Sequence, residues 1–153
     1  MKHQTKVQKF NDLANAIGQI RRGEPVKRIG RKDGSIATHP VVSVDPKKLE
    51  HDVLADCLAW LKKHRVFCNR HDAGTFQNDR GQWATYGIIN SGDIHGMLKY
   101  PDGKHFEIEC KRGSGGIQSK GQQERMKEVR ENNGLYLIVH GVEELGFLMG
   151  DYV

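Results

Sequence analysis

Asp93, His95, Glu107, Glu109 and Lys111 are the residues of this chain whose types and spacing could do chemistry. They lie in the stretch 92–112, GDIHGMLKYPDGKHFEIECKR, which alternates polar and apolar residues on either side of a turn. Tyr100-Pro101-Asp102-Gly103-Lys104 supplies the turn. Proline presets φ, aspartate closes the turn, and glycine takes the left-handed position of a three-residue loop with a bulge. That loop pairs Tyr100 with Lys104 and sets Lys99 opposite His105, His95 opposite Glu109 and Asp93 opposite Lys111. Opposed residues share a face, as do residues two apart along a strand. Asp93, His95, Glu107, Glu109 and Lys111 therefore point one way, and Ile94, Leu98, Phe106, Ile108 and Cys110 point towards a core. A two-residue Asp-Gly turn would shift the register by one and separate the acids.

Carboxylate oxygens are hard ligands, suited to a divalent cation such as Mg2+, which takes one or two carboxylates, waters and substrate phosphate. A lysine beside them can orient an attacking water or stabilise charge on a phosphate. The competing reading is the ordinary solvated face of an antiparallel hairpin. The elements around the hairpin bear on which applies.

The chain has 153 residues, enough for one domain with a single core. Its net charge of +5 suits an anionic partner. No apolar run is long enough to span a membrane. Lys2 and Lys6 are not followed by an apolar segment of the secretory kind. Cys57, Cys68 and Cys110 cannot all pair, and each sits in an apolar setting, which fits reduced, buried thiols in a cytoplasmic protein. Cys68-x-x-His71 lacks a second matching pair for zinc.

Residues 1–44 read as a basic N-terminal arm, and 45–153 as the domain that carries the acids. Phe10, Leu13, Ala14, Ile17 and Ile20 recur at helical spacing, predicting a helix over 5–22. Arg21, Arg22, Lys27, Arg28, Arg31 and Lys32 follow, as phosphate contacts, a solvated arm or an interaction segment. Asp45 and Pro46 suit the N-cap and first position of a second helix. Leu49, Val53, Leu54, Cys57, Leu58 and Leu61 form its buried stripe, with Glu50 near the middle. A strand is expected over 66–71, then a long polar loop over 72–91 containing Arg80, Trp83 and Tyr86. These three could grip a phosphate backbone or stack on a base, and core anchoring of Trp83 is the alternative. After the hairpin come a flexible turn, a helix over 119–132 with Gln122, Met126 and Val129 on its inner side, a buried strand over 135–140 and a short helix over 142–149. This order predicts an α/β fold, a mixed sheet flanked by helices, with a βαβ unit that makes the strand at 105–110 parallel to that at 135–140.

The ordered set Glu50, Asp93, Glu109-Cys110-Lys111, Gln122, Gly134 and the apolar strand 135–139 resembles the PD-(D/E)XK nucleases. Within them it is most similar to the virus-type replication-repair nuclease (VRR-NUC) domains, which include small stand-alone phage proteins. The resemblance covers about residues 46–149. Ser91-Gly92 stands before Asp93 in place of the usual Pro or more distant Gly. The resemblance implies the restriction endonuclease-like fold and Mg2+- or Mn2+-dependent hydrolysis of DNA phosphodiesters by a phage protein in the host cytoplasm. It makes Asp93 and Glu109 the principal metal ligands, with the Cys110 carbonyl as a third oxygen and Glu50 completing the shell. Lys111 would position the attacking water and Gln122 would orient Lys111 or the phosphate. Arg80, Trp83, Arg112 and Lys120 are the expected DNA contacts, and His95 and Glu107 fall at the rim. Junction-resolving relatives imply branched or duplex DNA as partner and a homodimer. A sequence-specific restriction-type nuclease and a non-cutting DNA-binding module on the same fold are the alternatives.

Overall fold

In the computed structural model, which describes residues 14, 15, 18, 36, 37, 39–100 and 102–153, the hairpin and the apolar run after Gly134 lie side by side. The elements are β1 (Ile36–Ala37), α1 (Glu50–Lys63), β2 (Phe67–Arg70), β3 (Gly74–Gln77), β4 (Trp83–Tyr86), β5 (Ile94–Met97), β6 (His105–Cys110), β7 (Ile117–Gln118), α2 (Lys120–Glu131), β8 (Leu135–Val139) and α3 (Val142–Met149). The helix expected over 5–22 and the basic residues 21–32 lie almost wholly outside the described residues.

The main sheet has the order β2-β5-β6-β8. β5 runs antiparallel to both β2 and β6, and β8 runs parallel to β6 after the crossover through α2. The chain is thus α/β with a mixed four-stranded sheet, as its element order predicts. One face of the sheet packs on α1 and α3: Val53, Cys57 and Leu61 of α1 and Leu145, Leu148 and Met149 of α3 close over Ile94, Phe106, Ile108, Cys110, Leu137 and Val139. On the other face Met126 and Val129 of α2 pack on Tyr136 and Ile138 of β8. Both faces of β8 are covered, which is why all five of its residues are apolar and buried.

The hairpin register differs from the expected one by two residues. Ile94 pairs with Ile108, His95 with Glu107, Gly96 with Phe106 and Met97 with His105. Leu98 N–H donates to the Lys104 carbonyl, so residues 99–103 form a longer connection than the three-residue loop. Asp102 and Gly103 both take positive φ, 49° and 70°. Because strand periodicity is two, a shift of two changes every partner and leaves every face unchanged.

Three further expectations are corrected. Asp45 does not cap α1. Its Oδ1 accepts from Lys47 N–H and its carbonyl from Lys48 N–H, closing a separate turn around Pro46, and the helix begins at Glu50 with Leu49 as N-cap. Aspartate offers the backbone this local alternative to a helix start. Leu49 is 56% exposed and so leaves the buried stripe. The polar stretch 72–91 is not an open loop: β3 and β4 pair as a two-stranded ribbon, and Asn78 Oδ1 closes its end by accepting from the N–H groups of Arg80 and Gln82.

Residues before α1 are tied to the domain. Ile36–Ala37 pairs antiparallel with β7, and Val41 N–H donates to the buried carboxylate of Glu144, which also accepts from His140 N–H. Cys57 and Cys110 are buried and free, whereas Cys68 is only half-buried.

Candidate metal centre

The polar face of the hairpin is not solvated. Glu107, Glu109 and Lys111 are 0%, 2% and 6% exposed, because α2 lies across the face they occupy. Burying charge is costly unless partners or cations offset it, so each partner matters.

Asp93 stands at the start of β5 directly across from the end of β6, and its Oδ2 accepts from Cys110 N–H at 2.7 Å. Gly92 puts the chain there: a Cβ at this position would lie 2.8 Å from the Ile108 carbonyl oxygen, so only glycine allows this approach. Glu109 projects from β6, where its Oε1 accepts from Lys111 Nζ at 2.5 Å and from Gln122 Nε2 at 2.6 Å. The Tyr136 hydroxyl, from β8, donates to Glu109 Oε2 at 3.4 Å. These partners do not neutralise the site. Burial, joined by the charge of Asp93, lifts the Glu109 carboxyl to about 7 against the attraction of Lys111. Burial likewise raises Asp93. The negative charge of Glu50 adds to both shifts.

Gln122 is placed by the helix it belongs to. Ser119 is the N-cap of α2 and accepts from Gln122 N–H, while Gln122 Oε1 accepts from Ser119 N–H, a reciprocal capping box. The same Oε1 accepts from Lys111 Nζ at 3.4 Å, and Nε2 is left to reach Glu109. The Ser119-x-x-Gln122 spacing was the sequence signal for this placement. Ser119→Ala should cost about 1 kcal/mol in chemical denaturation by removing the hydroxyl that accepts from Gln122 N–H, while the Ser119 N–H bond that holds the Gln122 side chain is kept.

Of the expected site residues, Asp93, Glu109, Lys111 and Gln122 come together. Glu50 is near enough to act on Asp93 and Glu109 through its charge, but it is exposed at the first position of α1, not buried in the helix stripe. A helix starting there has no preceding turn to cover that side chain. The Cys110 side chain points into the core beside Cys57, so only its backbone can serve the site. Arg80 and Trp83 are exposed on the ribbon, with Trp83 73% exposed, which removes core anchoring for it. Arg112 is exposed and its guanidinium donates to the Gly115 carbonyl; Lys120 is exposed at the first position of α2. Asp93, Glu109 and Gln122 line an open cleft of about 460 Å3, whose other wall is His71, Asp72, Gly74 and Thr75 at the base of the ribbon.

Sequence reasoning missed Tyr136, hidden in an apolar run, and Arg125, which holds the second buried acid. Glu107 accepts from Arg125 Nη2 at 2.5 Å, from Gly92 N–H at 3.0 Å and from His105 Nε2 at 3.2 Å. Burial would raise its carboxyl, but these donors outweigh it and hold the group below the usual range. His95, also facing this acid, is lowered chiefly by burial.

The donor set fits a hard divalent cation. Two neighbouring carboxylates, with the charge of Asp93 raising the carboxyl of Glu109, line one open cleft. Among the described residues no helix is long and apolar enough to cross a membrane. No protein-family model, curated protein or solved structure matches the chain.

Proposed function

We propose that this chain is a metal-dependent endodeoxyribonuclease of the PD-(D/E)XK kind, with Asp93 and Glu109 as ligands of Mg2+ or Mn2+. The observation that carries this reading is the acid pair itself: buried Glu109 is pushed up to about 7 beside half-buried Asp93, with Lys111 and Gln122 on one of its oxygens. Glu107 shows the contrast: Arg125 and its other donors outweigh burial and hold its carboxyl low. Two acids on the cleft wall, with a lysine donating to one of them, is an arrangement suited to phosphodiester hydrolysis.

When bound, the metal supplies Lewis acidity and lowers the pKa of a bound water. The chain's residues do the rest. Asp93 is held by Cys110 N–H, leaving its other oxygen for the ion. Lys111, fixed between Glu109 and Gln122, positions the attacking water or meets charge on the phosphate. Glu50, at the N-terminus of α1, would complete the set of carboxylates holding the ion, directly or through water. The Cys110 carbonyl would be a further oxygen available to the ion.

Branched or duplex DNA enters along the cleft, with Arg80, Trp83, Arg112 and Lys120 as contacts. The ribbon supports this: Trp83 is exposed on one face and Phe76 and Tyr86 on the other, 6.4 Å apart, with no core behind them. Trp83→Ala should weaken binding of DNA with unpaired strands by about 1–3 kcal/mol while leaving fully paired duplex nearly unaffected. Fluorescence anisotropy in EDTA, where no cutting occurs, reads this directly. The homodimer belongs to the junction-resolving version of this reading, and a monomer in light scattering would count against that version.

The test is to incubate the protein with linear duplex, nicked, flapped and four-way-junction DNA in Mg2+, Mn2+ or EDTA. Metal-dependent cutting supports the reading and the preferred DNA names the substrate class. Failure to cut any of them in either metal sinks it.

A further inference from the structure

We infer that the chain holds a second metal site, for an ion of the zinc class, at His95, His105 and Glu107. This goes beyond the nuclease reading and uses none of its ligands. The three residues occupy the same face of the β5–β6 hairpin, one step along it from Asp93 and Glu109. His95 is directly opposite Glu107, and His105 is two residues before it on the same strand.

Their donor atoms lie within 4.8 Å of one another. His105 Nε2 is 3.2 Å from Glu107 Oε1, and His95 Nε2 is 3.8 Å from Glu107 Oε2. Tetrahedral zinc, with bonds of about 2.0–2.2 Å, holds its donors roughly 3.3 Å apart, so the ligands need only small side-chain adjustments. Imidazole nitrogens with one carboxylate select a borderline ion over Mg2+, which prefers oxygen.

A second observation points into the same place. His95 Nε2 is buried and has no hydrogen-bond partner. The ring is held for the purpose: it stacks on His71 with centroids 4.2 Å apart and planes 3° from parallel. An unmet buried nitrogen is costly, and a metal bond would satisfy it. Arg125 and Gly92 N–H hold the carboxylate of Glu107 in place, as outer-shell partners of metal ligands do. His105 is half-exposed, so the ion has a way in and a water completes its shell.

The test uses the full chain, stripped with chelator and dialysed, then titrated with Co2+ in excess Mg2+. One equivalent should give the visible absorption of a four-coordinate ion, and Zn2+ should displace it. His105→Ala, with the fold checked by circular dichroism, should weaken binding by more than about tenfold, since a three-donor site becomes a two-donor one. His95→Ala should do the same, and Glu109→Ala should leave the band in place. Zn2+ should raise the melting temperature of the wild type and not of His105→Ala. No band in the wild type, a band that survives both histidine variants, or a band lost only with Glu109→Ala would each overturn the site.

Discussion

Glu109→Ala should reduce the proposed metal-dependent cleavage of DNA by at least about a thousandfold, equivalent to about 4 kcal/mol of barrier. The size follows from how many parts of the site meet at this carboxylate. Lys111, Gln122 and Tyr136 all donate to it, and Asp93 is the other acid of the pair. Removing it would take away a proposed metal ligand together with the carboxylate that holds Lys111. Single-turnover rates in Mg2+ and Mn2+ measure the effect, with gel-shift binding in EDTA as the control that DNA still binds. A fall of less than tenfold would move the chemistry elsewhere.

The second large effect is on stability and its sign is fixed by the direction of the shift. Glu109 has a folded-state pKa of about 7, above the ordinary carboxyl value of 4.5. The folded protein therefore holds this proton more tightly than the unfolded chain. Stability from the group is fully present below 4.5 and is lost as pH rises through about 7. Other groups titrate in the same window, so the clean reading is a comparison with Glu109→Gln. Between pH 5 and pH 8 in chelator, the stability of the wild type should fall relative to the variant by about 2–3 kcal/mol, or about 5–10 °C in melting temperature. Saturating Mn2+ should shrink that difference, because the ion takes over from the proton. A difference that does not change with pH would mean that the carboxyl ionises like any surface glutamate.

Much of this site was legible in the residues because it depends on parity and order. The alternation on both hairpin strands assigned Asp93, Glu109 and Lys111 to one face, and the error of two in register could not disturb that. Burial of that face was not legible, because it is set by α2 crossing over it. Nothing local to Glu107 announces Arg125, which is 18 residues further along and arrives through a crossover. Glu50 shows the converse failure. Helical periodicity placed it in the buried stripe, but Asp45 and Pro46 form their own turn, the helix starts late, and its first side chain stays in water. The ribbon β3–β4 was missed because its aromatic residues face water and not a core: it folds by pairing and turn closure, and no buried stripe marks it.

The claim on which the rest stands is that Asp93 and Glu109 together hold a divalent cation. Mn2+ binding followed by electron paramagnetic resonance, with Mg2+ as competitor, tests it most directly. The wild type should show a Mg2+-competable Mn2+ site that Asp93→Asn and Glu109→Gln each weaken by more than about tenfold and that His105→Ala leaves unchanged. No such site in the wild type, or one indifferent to both acids, would contradict it.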